Sequence, residues 1–179
     1  MSPPSPSFEM PLGIIDELYQ AVDDQRQRAL DPDLGRDERV EAAGLCLETL
    51  GALAAAGHEP EAGLPAELPA ELTRSALAAL DAGALRSEAD QLARLVEEAV
   101  DDPFEDVHLD VLAERVEDAL LERQRFDRRL AGARVVLGEA AGWSDEQAGA
   151  VGYFDTLLRP LAWGLAFANR GREGHALMV

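Results

Sequence analysis

FEDVHLDVLAERVEDALLERQRFDRRLAGARVVLGEAA, residues 104–141, decides the fold. Leu109, Leu112, Val116, Ala119, Phe126, Leu130, Ala133, Leu137 and Ala140 recur at alternating steps of three and four, and Arg123 holds one position of the series. Residues spaced this way share one face of an α-helix, whereas a strand needs a period of two. Unbroken from Phe104 to Ala141, such a helix would reach about 55 Å at 1.5 Å per residue. Gly132 and Gly138 are the places where it can bend.

Upstream, 84–100 carries a second stripe of Leu85, Ala89, Leu92, Val96 and Ala99, and Asp101-Asp102-Pro103 separates the two. Aspartate before a proline at the first helical position is a helix-start signal. Two adjacent seams joined by a tight turn predict a long antiparallel helical hairpin over about 84–141.

The remaining segments are helical too. A helix is predicted from after Pro11 to Leu30, with Leu12, Ile15, Leu18, Tyr19 and Val22 on one face, stopped by Asp31-Pro32-Asp33-Leu34-Gly35. A second runs from Arg36 to Gly57 on Val40, Ala43, Leu47, Leu50 and Ala54. Residues 58–70, with three prolines, read as a linker, and a short helix over 70–82 is expected to close on Gly83. Ser144 with Gln147 three residues on forms a capping box that starts a last helix to about Asn169, interrupted by Pro160. Its segment Pro160–Ala168 is apolar on every side, so it is expected in the core, in a subunit interface or in a pocket wall. The fold class is therefore all-α: a bundle of five or six helices forming one domain over 11–169. Disordered or loose tails are expected at 1–10 and 170–179.

Composition narrows the chemistry. The 179 residues include no lysine, which excludes P-loop nucleotidases, Schiff-base enzymes and protein kinases, each of which places an ammonium at a fixed point. Codon bias in a GC-rich genome accounts for an arginine-only, alanine-rich chain without any functional reason. A net charge of −19 argues against direct nucleic-acid binding and against docking on anionic membranes. No segment approaches the roughly 20 apolar residues of a membrane span, and the proline- and serine-rich start has no signal-peptide pattern. One cysteine, Cys46, gives neither an intrachain disulfide nor a thiolate zinc site, so a cytoplasmic, reducing setting is expected.

The acidic charge is uneven: residues 1–120 hold 28 Asp and Glu against 8 Arg, and 121–179 hold 7 against 8. Asp101, Asp102, Glu105, Asp106 and Asp110 form a candidate surface for a basic partner or a hard cation, although carboxylates also favour a helix start by themselves. Arg123, Arg125, Arg128 and Arg129 follow on the same long helix. They suit carboxylates of a neighbouring helix or a second subunit, or a bound anion, and acid-then-base order on one helix suits antiparallel self-association. Trp143, Tyr153, Phe154, Trp163 and Phe167 are candidate interface or pocket-wall residues.

Metal and nucleophile patterns are incomplete. A di-iron bundle needs two Glu-x-x-His pairs, and only Glu105-x-x-His108 occurs. The run Asp31, Asp33, Gly35, Asp37 lacks the fifth, sixth and twelfth ligands of a calcium loop and reads as a capped helix connection. Ser144 is not in a G-x-S-x-G elbow, and Cys46 on an apolar face reads as a small hydrophobe. No catalytic residue, metal site or cofactor is assigned. The sequence reading is a non-enzymatic acidic interaction or regulatory protein that self-associates, with a protein partner that can be a second copy. A small-molecule- or metal-binding bundle, with or without enzymatic activity, and a nucleic-acid mimic that inhibits a basic protein are the alternatives.

Overall fold

Helix α1 (Leu12–Leu30) opens the computed structural model, which describes residues 12–58, 68–101 and 106–158. The expected tails, the middle of the proline-bearing linker (59–67), the Asp102-Pro103 reversal and the Pro160–Ala168 segment lie outside the described residues. Helices α2 (Arg36–Ala55), α3 (Ala70–Ala78), α4 (Ala82–Asp101) and α5 (Asp106–Leu137) follow, and α6 covers 145–158. The fold is all-α, a helical bundle, with no strand among the described residues.

Local chemistry sets the ends of these helices. The Asp31 carboxylate accepts the Asp33 N–H at 2.9 Å, turning the chain after α1. Glu38 reaches back to the Gly35 N–H at 3.0 Å and caps α2. Gly57 at φ +78° ends α2 in a Schellman arrangement: the His58 N–H donates to Leu53 O and the Gly57 N–H to Ala54 O, both at 3.0 Å. The expected closure of the third helix at Gly83 is corrected. Helix α3 stops at Ala78, and Asp81 caps α4 through the Ala84 N–H at 3.0 Å, which places Gly83 inside the first turn of α4. An aspartate side chain that can satisfy a free N–H outcompetes a glycine that can only relax the backbone. The long helix ends earlier than expected, at Leu137, where Gly138 takes φ +63° and leads into a 3-10 turn over Gly138–Ala140, while its expected start at Phe104 lies outside the described residues.

Close packing groups the chain into two compact units, one of residues 1–80 with 125–143 and the other of 81–124 with 144–179. In the first, α1 packs on α2 and α2 on α3. Its core holds Ile15, Val22 and Ala29 of α1; Ala43, Cys46, Leu47, Leu50 and Leu53 of α2; and Phe126, Leu130 and Ala133 of α5. In the second, Leu85, Ala89 and Leu92 of α4, Leu112, Val116 and Ala119 of α5, and Ala150, Phe154 and Leu158 of α6 are buried. The seam read along 112–133 is thus the buried stripe of α5, except that Arg123 is half-buried.

Candidate functional site

Arginine is the only strong base in the chain, and the α5 arginines are where its charge is spent. Arg129 is buried. Its Nε donates to Glu48 Oε1 of α2 at 2.9 Å, its Nη2 donates to the same oxygen, and its Nη1 donates to the Ala76 carbonyl at the end of α3 at 3.2 Å. Arg125 Nε lies 3.5 Å from the same carboxylate oxygen and remains 44% exposed. One buried guanidinium thereby ties three helices of the first unit. Such a pair resists the loss of either partner, because the survivor is left as an uncompensated charge.

Glycines make room for this arrangement. A Cβ on Gly44 would lie 2.8 Å from the Arg129 guanidinium carbon. A Cβ on Gly51 would lie 1.9 Å from Arg128 O, and one on Gly132 would lie 1.9 Å from Leu47 O. The two backbone contacts rise along α2 as they fall along α5, so the two helices cross antiparallel here. The Leu47/Gly51 and Arg128/Gly132 pairs are exchanged by a local two-fold. Backbone approach this close suits Cα–H···O=C contacts.

In the second unit Arg123 meets Asp155 of α6 with two parallel bonds, Nε to Oδ1 at 3.0 Å and Nη2 to Oδ2 at 3.2 Å. Its place in the apolar series is explained by this fork, which lets a guanidinium sit near a core stripe. Arg115 donates to Gln91 Oε1 of α4 at 2.9 Å. The Tyr153 hydroxyl donates to Asp90 Oδ1 at 2.6 Å, which raises its pKa, and Arg86 lies 5.6 Å from the ring centroid.

The aromatic candidates do not form one wall. Phe154 is core, Tyr153 is exposed, and Trp143 stands in the first unit with its ring 5.5 Å from that of Phe126, tilted by 46°. Trp163 and Phe167 lie outside the described residues. The same holds for Asp102 and Glu105 entirely, while Asp101, Asp106 and Asp110 are placed as helical backbone only. No group of three or more His, Cys, Asp or Glu able to hold a metal ion occurs among the described residues.

The nucleophile candidates have structural roles. Ser144 and Gln147 exchange the two bonds of the capping box, each at 3.2 Å. Cys46 is buried with its thiol 3.7 Å from Val22 O; burial pushes its pKa up to about 11, while nearby Arg26 pulls it down.

Two features were not singled out from the sequence. One is the exposed run of Glu114, Asp118 and Leu121 on the outer face of α5, with Leu121 54% exposed, which continues into the candidate arginines Arg125 and Arg128. The other is a cleft of about 330 Å³ between the starts of α2 and α3, lined by Arg36, Arg39, Pro69, Glu71, Leu72 and Ser75. The alternating four and three spacing of the first was available as a signal, but the apolar seam on the opposite side overshadows it. The second joins residues more than thirty positions apart, and no local pattern marks it. No helix among the described residues is long and apolar enough to cross a membrane. No protein-family model, curated protein or solved structure matches the chain.

Proposed function

We propose that this chain is a non-enzymatic interaction protein that pairs with a second copy of itself through the outer face of α5. The carrying observation is a second heptad series on that helix, Glu114, Asp118, Leu121, Arg125 and Arg128, on the side away from the buried stripe. Its one apolar member, Leu121, is the most exposed large hydrophobic residue described and sits midway between two acids and two bases. Laid antiparallel on a copy of itself about Leu121, the series brings Glu114 against the copy's Arg128 and Asp118 against the copy's Arg125, with Leu121 on Leu121. A parallel pairing would stack like on like. Charge order of this kind sets partner and orientation in paired helices, and a self-complementary patch is what a two-fold dimer requires. Arg125 can serve both Glu48 and a copy, since nearly half of it is exposed. A reducing, cytoplasmic setting suits a single buried thiol.

Sedimentation of the full chain over a concentration series tests this. The expected result is a monomer–dimer equilibrium that Leu121→Glu shifts to monomer without loss of helical circular dichroism. A monomer at every concentration, or a dimer indifferent to Leu121→Glu, would overturn it.

A further inference from the structure

We infer that the cleft at the start of α2 and α3 binds a small organic anion carrying an apolar body, with Arg36 and Arg39 as the anion contacts. The two arginines are three residues apart on α2, so their side chains leave the same side of the helix. Arg39 is half-buried and oriented: its Nε donates to the Ala29 carbonyl at 3.0 Å, which fixes the guanidinium beside the cleft. Among the described residues Arg36 has no ion-pair partner, and no salt bridge joins Glu71 to either arginine. In a chain with 35 acidic and 16 basic residues, the described lining of this cleft sets two guanidinium groups against one carboxylate, the reverse of the overall balance.

The rest of the lining sets what kind of anion fits. Pro69 and Leu72 form an apolar wall, and Ser75 supplies a hydroxyl able to donate or accept. A cleft of about 330 Å³ is at the small end of ligand sites. The net charge of −19 opposes the approach of any anion from solution, so charge alone gives weak binding and burial of a hydrocarbon body must supply the rest. Glu71 adds discrimination, because its carboxylate repels an anion placed too far toward α3.

Titration calorimetry on the full chain with phenyl phosphate, inorganic phosphate and phenol as probes tests the assignment. Phenyl phosphate is expected to bind saturably at one site, at least tenfold tighter than inorganic phosphate or phenol. Arg36→Ala is expected to weaken it at least tenfold with the melting temperature unchanged, and Glu71→Gln to tighten it severalfold. Amide shifts on binding should centre on 36–39 and 69–75. The assignment is overturned if phenyl phosphate does not saturate, if inorganic phosphate binds as tightly, or if Arg36→Ala leaves affinity intact. Because Arg36 lies outside the α5 series, its loss should leave self-association unaltered.

Discussion

Replacing a single hydrogen of Gly51 or Gly132 by a methyl group drives a Cβ to 1.9 Å from a carbonyl oxygen, which the helices can relieve only by moving apart. Gly51→Ala and Gly132→Ala are each expected to cost about 2–3 kcal/mol, measured by chemical denaturation. Gly142→Ala, with nothing within 4 Å of its Cβ, should change stability by only about 0.5 kcal/mol. Cys46 gives a pH test at the same scale. Its folded pKa, about 11, stands above the ordinary thiol value of 9.0, so burial of the neutral thiol contributes fully below pH 9. Above pH 9 the unfolded chain loses the proton and the folded chain keeps it. Stability should therefore decline between pH 9 and 11, and Cys46→Ala should remove that part of the decline. Cys46 was legible as a small hydrophobe because it lies on an apolar stripe. The glycine contacts were not, since a glycine kept for close approach and one kept for a turn look alike in sequence.

At the scale of elements, the helix ends and the helix-to-helix ties carry the specificity. Ser144→Ala removes the side chain that satisfies the Gln147 N–H, and Asp81→Ala removes the cap of α4. Each should cost about 1 kcal/mol and lower the melting temperature. The Glu48–Arg129 pair gives a stronger contrast. Glu48→Leu or Arg129→Met alone should cost about 3 kcal/mol or more, by stranding a buried charge, whereas the double variant should recover most of the loss in a double-mutant cycle. Helix existence was legible throughout, because the segments are rich in alanine and leucine, poor in strand formers, and punctuated by proline, glycine or aspartate. The limits of α3 and α4 were misread because Leu80-Asp81 offered a cap that Gly83 obscured. Arg129 and Arg123 were visible as candidates, but their partners Glu48 and Asp155 stand 81 and 32 residues away along the chain, where no periodicity connects them.

For the whole molecule, two compact units share one helix, and their boundary on α5 falls between Gln124 and Arg125. No proline, glycine or polar linker marks that point, so a sequence reading finds a single domain there. Charge order along α5 was legible in outline, as acids before bases, while the exposed series centred on Leu121 needed burial to be separated from the core stripe. A charge exchange tests it. Glu114→Arg or Arg128→Glu alone should weaken self-association at least tenfold, and the double variant should restore it, read by sedimentation at fixed ionic strength.

The reciprocal crossing of α2 and α5 has one more consequence. Where leucines interdigitate, each must give up rotamer freedom on folding, but a glycine set against a helix carbonyl has no side-chain torsion to lose. The Gly51–Arg128 and Gly132–Leu47 contacts thus join two helices at almost no side-chain entropic cost. They also leave no alternative rotamers by which that joint could repack, so it opens as a unit or not at all.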